Sequence, residues 1–420
     1  MNIIRKWFSH VPLLSLLFGA LIAVLLERRV GDPLAEILGL PKIPVLFGFV
    51  TILKKPLLIP STILYLTLVF VGPISVVARL SVSTVNRLLD KLLHLPLLFA
   101  VGIHLGLLYA ILHLWSEVSA YRLLMVKLTL IAIMLTLSLN VINGYMGEFS
   151  CSHPGFMALG AYATSILTVF LFAKDRLFGP PILPPALGPF LFPFALFIGG
   201  MVAALGAVFI AIPSFRTRGD YLAIISLAFM FIVKSLIENL EVVGGPRGLS
   251  SQPDYANLPA VFLWTVACVW IINNFVRSTL GKALNAVRDD ETAADAMTVN
   301  IRRTKIVAFM FAAFWAGVAG GLFAHVLRYV NPATFGIQKL AEVLAMVYFG
   351  GLNSVYGSIV GAVSISVLGE ALRPLEIYKW IIIPLLLILV MIYRPTGLIA
   401  FKEFNIRGLI SPKHKTVGDI

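Results

Sequence analysis

The chain has 420 residues, of which 59% are hydrophobic and 13% are charged, and its mean hydropathy is +0.95. About a quarter of the residues in an ordinary soluble domain are charged, so this composition excludes a soluble protein. The formal net charge of +13 does not indicate nucleic-acid binding, because the basic residues lie mainly in loops beside apolar runs, where they set membrane orientation.

The apolar residues fall in runs of about 17 to 25, the length that a helix needs to cross roughly 30 Å of hydrocarbon. They do not alternate with polar residues as the strands of a membrane barrel do, and 381–392 is an example. The pattern predicts an all-α fold, a polytopic transmembrane helical bundle of about ten to twelve spans. The candidate spans are 10–27, 56–78, 95–115, 122–142, 155–173, 190–213, 221–240, 258–276, 304–326, 338–352, 355–371 and 376–394.

The N-terminal region begins with two basic residues and the apolar stretch 11–26, as a secretory signal does. Because Glu27-Arg28-Arg29 stands where a small-residue cleavage site would be, we expect an uncleaved first span. Before residue 190 the basic residues favour neither orientation, and an additional span near 43–53 or an interfacial helix stays open. After residue 190 they concentrate in 214–220, in 277–305 and beyond 394, which places those segments on the cytoplasmic side.

Small residues recur at four-residue spacing inside the expected spans. In lipid such stripes let helix backbones approach closely. They predict a compact bundle, which fits a transport protein but also fits helix packing alone. The stripes are Gly102/Gly106, Gly199/Ala203/Ala207, Ala313/Gly317/Gly321 and Gly357/Gly361.

Residues 144–160 interrupt an apolar region with glycines, a proline and polar side chains. This break is either a re-entrant segment whose free backbone groups meet a zwitterionic solute or a connection on the inner side, and the sequence leaves both open. Residues 349–354 form a similar break, preceded by the acid Glu342, for which a structural hydrogen bond is the alternative to a functional role. The candidate solute pathway comprises Asn143, Gly144, Gly147, Glu148, Ser150, His153, Glu342, Gly350 and Gly351.

Two turns flank the helix expected at 221–240. The first is cytoplasmic and is either a helix cap held at the inner face by its basic residues or a contact with a partner. It comprises Arg216, Arg218, Gly219 and Asp220. The second lies outside and is either a flexible turn that contacts a solute-binding protein or a plain connection. It comprises Gly244, Gly245, Arg247 and Gly248.

The polar segment 277–305 is rich in good helix formers and predicts a short amphipathic cytoplasmic helix over 281–297. The expected apolar stripe is Ala283, Ala286, Val287, Ala294 and Met297. Such a helix could dock in a groove of a partner protein or lie on lipid headgroups. Its alternating acidic and basic residues favour the protein partner, because anionic lipid would prefer a uniformly basic face.

Several short motifs stand in order along residues 121–400. The polar segment contains Arg288-x-x-Glu291-x-Ala293-Ala294 and then Arg302-Arg303-x-Lys305. The other motifs are Asn143-Gly144-Tyr145-x-Gly147-x-x-Ser150-x-x-His153, Arg216-x-Arg218-Gly219-Asp220-Tyr221, Val243-Gly244-Gly245-Pro246-x-Gly248, Gly350-Gly351-Leu352-x-Ser354 and Tyr393-Arg394-Pro395-x-Gly397. This ordered set resembles the branched-chain amino-acid ABC transporter permeases.

The resemblance implies that residues 1–120 are an appended transmembrane segment, 121–400 an ABC-importer permease domain and 401–420 a cytoplasmic tail. It implies import of branched-chain amino acids by alternating access across the cell (inner) membrane of a bacterium or archaeon. The implied partners are two ATP-binding-cassette ATPase subunits, a second paralogous permease, a periplasmic or lipid-anchored solute-binding protein and membrane lipid. The implied ATPase-coupling loop comprises Gly281, Arg288, Glu291, Ala293, Ala294, Arg302 and Arg303.

The chain departs from the family pattern inside these motifs. Glu148 stands where the family usually has glutamine, Thr298 and Asn353 replace glycines, and Arg247 replaces asparagine. Ser152 and Pro154 replace small residues. A carboxylate near the pathway could change the charge preference, so other amino acids, urea and short amides stay open as solutes.

The sequence contains no Gly-x-x-x-x-Gly-Lys-Ser/Thr phosphate loop, so ATP-driven work would need a partner, and the chain is not expected to be an enzyme. An ion-coupled secondary transporter is the nearest alternative, with Glu148, His153, Glu342 or Glu370 carrying a proton. An intramembrane enzyme would need a clustered acid/base or metal set, and the scattered histidines have no ligand spacing. We therefore expect no cofactor and no metal.

Overall fold

A computed structural model describes residues 10–40, 58–94, 96–174, 179–214, 221–373, 376–394 and 396–411. The chain divides into two compact units. Unit 1 comprises Met1–Val126, Leu368–Lys379 and Asn405–Ile420, and unit 2 comprises Lys127–Val367 and Trp380–Phe404. The additional span considered near 43–53 and the cytoplasmic turn of Arg216, Arg218, Gly219 and Asp220 lie outside the described residues.

Unit 1 is built from helices α1 (Leu13–Ile37), α2 (Ile59–Leu80), α3 (Val82–Leu93) and α4 (Leu97–Ser116). It also includes the first residues of α5 (Ala120–Met146) and the short helix α16 (Ile406–Ile410). A hydrophobic cluster of this unit brings together Leu14, Val85, Leu89, Ala100 and Ile410.

Helix α1 continues ten residues beyond the end expected for the first span, from 27 to Ile37. The reason is a buried ion pair: Arg122 Nη2 donates to Glu27 Oε1 at 2.8 Å, and the two side chains are 4% and 6% exposed. The Arg122 guanidinium also lies 4.9 Å from the centre of the Trp115 ring. Because Glu27 is neutralised inside the unit, the helix does not have to end at that charge.

Unit 2 contains most of α5, followed by α6 (His153–Phe172), α7 (Gly188–Ser214), α8 (Tyr221–Asn239) and α9 (Leu258–Arg277). Two short helices, α10 (Thr279–Asp289) and α11 (Glu291–Ala296), precede α12 (Ile301–Leu327). Helices α13 (Ile337–Gly350), α14 (Val355–Ala371) and α15 (Glu376–Tyr393) follow. A two-stranded antiparallel ribbon pairs β1 (Leu249–Ser250) with β2 (Tyr329–Val330).

The polytopic helical bundle is confirmed. Eight helices in the described residues are long and apolar enough to cross a membrane. They are Ile59–Leu80, Leu97–Ser116, Ala120–Met146, His153–Phe172, Pro185–Ala211, Tyr221–Asn239, Leu258–Arg277 and Ile301–Leu327. Val355–Ala371 and Ile381–Tyr393 are shorter apolar helices, and the span expected at 338–352 is the 14-residue helix α13.

Glycines let α6, α7 and α12 approach to backbone contact in unit 2. A Cβ on Gly160 would overlap the carbonyl oxygen of Gly317 and lie 2.5 Å from its carbonyl carbon, while a Cβ on Gly317 would lie 2.6 Å from the Ala203 Cβ. The stripes predicted in α7 and α12 therefore do pack helices together. The stripe Gly102/Gly106 does not, because within the described residues no atom lies within 4 Å of a Cβ at either position.

Candidate functional site

The last turn of α5, Val141–Met146, is a π-helix, an irregularity that is frequent at functional sites. Gly147 ends it with φ +78°, and a Cβ there would overlap Arg288 Cγ. Helix α6 begins at His153 with Pro154 in its first turn, where the missing N–H costs nothing. Residues 147–152 thus connect directly two helices that are each long and apolar enough to cross a membrane, Ala120–Met146 and His153–Phe172.

Polar contacts hold this connection in place. Asn143 Oδ1 accepts a hydrogen bond from the Ser150 N–H at 3.2 Å, and the Ser150 and Ser152 hydroxyls are 2.8 Å apart. The Cys151 N–H donates to Ser226 Oγ at 2.9 Å, and burial raises the pKa of the Cys151 thiol. The His153 ring is buried and interacts with the Ser138 carbonyl, but neither ring nitrogen makes a well-aligned hydrogen bond among the described residues.

Asn140, which the sequence did not single out, joins the two breaks. Its Nδ2 donates to Ser358 Oγ at 2.7 Å and to the Ser354 carbonyl at 3.1 Å, and its Oδ1 accepts from the Asn353 N–H at 3.1 Å. Gly144 must be a glycine here, because a Cβ would lie 2.5 Å from the Asn353 nitrogen. The candidate residues around 143–150 and those at 350–351 therefore lie together. The sequence signal that could have identified Asn140 is a polar amide side chain within an otherwise apolar span.

The polar segment forms two helices, so the single helix expected over 281–297 is wrong. Asp290 has an extended backbone and caps α11 by accepting from the N–H groups of Thr292 at 2.8 Å and Ala293 at 3.0 Å. This capping interrupts the helix because the side chain replaces the backbone acceptors of the preceding turn.

The apolar stripe of this segment also differs from the expectation. The buried residues are Gly281, Leu284, Val287 and Ala294, with Ala283 half-buried. Ala286 is exposed and the Met297 side chain is 77% exposed. The kink at Asp290 changes the register after α10, so a stripe drawn on one continuous helix misplaces both residues.

Helix α11 ends in a Schellman motif, in which the Thr298 N–H bonds the Asp295 carbonyl at 2.9 Å and the Val299 N–H bonds the Ala294 carbonyl at 3.1 Å. The motif requires a left-handed residue, and Thr298 has φ +63° at the position where the family has glycine.

Thr298→Gly is expected to stabilise the protein by about 1 kcal/mol, because a β-branched residue in the left-handed region costs roughly 1–2 kcal/mol. The measurement is the thermal midpoint in detergent, which should rise by a few degrees. Asn353, which has φ +53°, is the matched comparison, since asparagine tolerates this conformation and Asn353→Gly should gain less. An unchanged or lower midpoint for Thr298→Gly would contradict the assignment of strain.

Arg288 and Glu291 make contacts inside unit 2. Arg288 donates from Nη2 to Asp289 Oδ1 at 2.7 Å and from Nη1 to the Gly144 carbonyl at 3.4 Å, and its guanidinium lies 5.4 Å from the Phe401 ring centre. Glu291 pairs with the ammonium group of Lys305. The polar segment 277–305, which contains the predicted coupling loop and is called the coupling segment below, therefore contacts the π-helical end of α5 through Arg288.

Lys305 connects the coupling segment to residues 147–152. Its Nζ donates to Glu148 Oε1 at 2.6 Å as well as to Glu291. The Lys305 side chain is 9% exposed, against 24% for Glu148 and 47% for Glu291. Arg302 and Arg303 in the same first turn of α12 are exposed, and Asn300 Oδ1 caps the turn through the Arg303 N–H at 2.9 Å.

Glu342 lies on α13, where its carboxylate accepts a hydrogen bond from Lys339 Nζ at 3.1 Å. The turn predicted to lie outside, Gly244 to Gly248, makes close backbone contacts with β2 and its neighbours. Gly244, Gly245 and Gly248 all have positive φ, and a Cβ on Gly248 would overlap the Val330 carbonyl oxygen of β2. The Tyr329 hydroxyl donates to the Arg247 carbonyl at 2.7 Å.

Long apolar helices packed through glycines define a multi-pass helical membrane protein, in which ion pairs link a polar helix pair to the connection between two long apolar helices. Residues 121–391 match the family model described as branched-chain amino acid transport system / permease component, and the chain belongs to this family. The resemblance seen in the motifs is thereby confirmed.

Curated relatives agree with this assignment. The chain is 33% identical over 307 residues to the high-affinity branched-chain amino acid transport system permease protein LivM of Escherichia coli (strain K12), covering 65% of this chain and 68% of the relative. It is 24% identical over 293 residues to the LivH permease protein of the same strain, covering 64% of this chain and 91% of the relative. A probable LivM of Methanocaldococcus jannaschii is 25% identical over 227 residues, covering 47% of this chain and 65% of the relative. No solved structure matches.

Proposed function

We propose that this chain is the transmembrane permease subunit of an ATP-binding-cassette importer that moves branched-chain amino acids into the cytoplasm by alternating access. The observation that carries the proposal is the family match over residues 121–391. It favours ATP-driven import over the ion-coupled alternative. The carboxylates considered as proton carriers, Glu148, Glu342 and Glu370, are also each paired with a basic side chain.

The proposed assembly contains two ATPase subunits, a second paralogous permease and a periplasmic or lipid-anchored binding protein in the cell (inner) membrane. The similarity of this chain to both LivM and LivH of one strain supports a pair of related permeases. ATP hydrolysis belongs to the ATPase subunits in this proposal. Residues 1–120 remain a proposed appended segment, since the family match begins at residue 121.

The proposed ATPase contact is the exposed face of α11. Ala293, Ala296 and the 77% exposed Met297 present an apolar surface beside the acidic Asp295. An apolar helix face of this kind suits a groove on a partner protein. Arg288 and Glu291 then transmit motion from α11 to the α5–α6 connection, because their charged groups contact Gly144 and Lys305.

The solute pathway is proposed to pass the α5–α6 connection and the break at 350–354. Asn140 contacts Gly144 and the Gly351 carbonyl, and Asn143 accepts a hydrogen bond from the Ser150 N–H, so irregular backbone lies inside the protein here. Gly147 and Gly350 are the remaining glycines of the proposed pathway. A zwitterionic solute needs such backbone and amide groups for its two charges.

Met297→Asp is expected to reduce co-purification of the ATPase subunits at least about tenfold, because a charge would enter an apolar groove. Val242→Asp, at an equally accessible position (68% exposed) in the turn Glu241–Val243, is the matched control and should retain the ATPases. Labelled leucine uptake into vesicles with the wild-type assembly should require ATP and survive a protonophore. Retained ATPase association with Met297→Asp would disprove the docking face, and uptake that survives without ATP would disprove the importer.

A further inference from the structure

Unit 2 contains a partly enclosed cavity of about 370 Å³ beside the coupling segment, large enough for one small solute. Its walls come from five parts of the unit: the end of α5, the end of α9, helix α10, the turn after α13 and the segment after α15. The lining residues that carry the argument are Arg277, Lys282, Glu403, Asn285, Asn353 and Phe404. Asn353 lies in the break at 350–354 that the proposed solute pathway passes, whereas the other five belong neither to that pathway nor to the residues of the implied coupling loop.

The cavity contains polar groups without partners. The side-chain oxygens of Asn285 and Asn353 are buried and accept no hydrogen bond within the described part of the chain. Arg277, Lys282 and Glu403 form no ion pair with any described residue. Buried amide oxygens normally find a donor, so these two indicate a ligand or water that donates hydrogen bonds.

The lining of the cavity also includes apolar side chains. These are Val276, Phe401 and Phe404, beside Tyr145. Phe401 has φ +52°, a left-handed conformation that is strained for an aromatic residue, and its ring lies against the Arg288 guanidinium. Backbone strain of this kind concentrates at binding sites and switches.

We propose that this cavity binds a free amino acid with an apolar side chain from the cytoplasmic side. The carboxylate would pair with Arg277 and Lys282, the ammonium would donate to Glu403 and to the two amide oxygens, and the side chain would lie on the phenylalanines. This inference rests on the proposed function, because the orientation and the ligand follow from an importer of such solutes.

Occupancy of the cavity would restrain the coupling segment. Asn285 and Lys282 lie on α10, while Tyr145 belongs to the π-helical turn and Asn353 to the turn bonded by Asn140. A ligand that bridges these elements holds them in one arrangement and opposes the motion that transport needs. The cavity is thus a site at which accumulated product slows further import.

The test uses the complete transporter in proteoliposomes, with ATP and unlabelled leucine inside and the binding protein with labelled leucine outside. Internal leucine at millimolar concentration is expected to lower the initial uptake rate several-fold. N-acetyl-leucine, which lacks the ammonium, and leucinamide, which lacks the carboxylate, should be at least about tenfold weaker, as loss of a charge-assisted hydrogen bond implies.

Glu403→Gln should raise the inhibiting leucine concentration about tenfold while leaving uptake into leucine-free vesicles within about twofold of wild type. Glu241→Gln, an exposed carboxylate outside the cavity, is the control and should change neither value. Wild-type uptake insensitive to internal leucine, or equal inhibition of the wild type and Glu403→Gln, would overturn the proposal. Absence of ATP-dependent uptake into leucine-free vesicles would instead disprove the proposed function.

Discussion

Lys305→Met is expected to lower ATP-dependent uptake at least about tenfold while the ATPase subunits stay bound, because the coupling segment loses its ion-pair link to residues 147–152. The Lys305 ammonium lies between Glu148 and Glu291, and its side chain is 9% exposed. Removing it leaves two carboxylates facing each other without a counter-ion. Since both carboxylates keep access to water, we expect a stability loss of about 1–3 kcal/mol rather than the full cost of a buried charge.

Stability and coupling can be separated by neutralising the carboxylates as well. The triple variant Lys305→Met, Glu148→Gln, Glu291→Gln removes the unpaired charges and should recover the thermal midpoint of the wild type. Its uptake should remain low if the ion pairs transmit motion, and should recover if they only stabilise the fold. Uptake by initial rate and melting in detergent distinguish the two.

Lys339→Met is the matched control. Lys339 pairs with Glu342 at 3.1 Å and its side chain is similarly buried at 16% exposure, but both partners of this pair lie on the single helix α13. Uptake should fall far less than with Lys305→Met. Equal uptake by Lys305→Met and the wild type would remove the ion-pair link from the mechanism.

The sequence predicted the elements of the bundle better than their partners. Apolar runs of spanning length predict where most helices lie, and the small-residue stripes predict which faces of α7 and α12 can pack closely against another helix. A small-residue stripe does not identify the helix that packs against it. Gly102/Gly106 and Gly317 therefore look equivalent in the sequence, although only Gly317 packs against the backbone of another helix. That difference depends on contacts between segments far apart in the chain.

For the candidate site, too, the sequence predicted the residues better than the contacts between them. The motif residues Gly144 and Gly147 were assigned to the solute pathway, and Arg288 and Glu291 to the coupling loop. The structure brings the two sets together through Arg288 and through Lys305, which the sequence did not predict. The pairing of Glu148 with Lys305 also explains how a carboxylate is tolerated where the family has glutamine. An ion pair between residues 157 positions apart leaves no local pattern in the sequence. The Asp290 cap that divides the predicted helix is a local feature, but the many good helix formers around it favoured the prediction of one continuous helix.

Gly160→Ala and Gly102→Ala are expected to change stability in opposite directions. At Gly160 the added Cβ would overlap the Gly317 carbonyl, and no side-chain rotation relieves a clash with backbone, so α6 and α12 must separate at a cost above about 3 kcal/mol. At Gly102 the Cβ meets no described atom, and the gain in helix propensity is up to about 1 kcal/mol.

The measurements are the monodisperse fraction on size exclusion and the thermal midpoint in detergent. Gly160→Ala should give little folded protein, whereas Gly102→Ala should equal or exceed the wild type. A Gly160→Ala variant that melts like the wild type would mean that α6 and α12 are further apart than these backbones indicate. Because Lys305 lies near the start of α12, separation of the two helices would move the ion-pair link, so any surviving Gly160→Ala protein should also transport poorly.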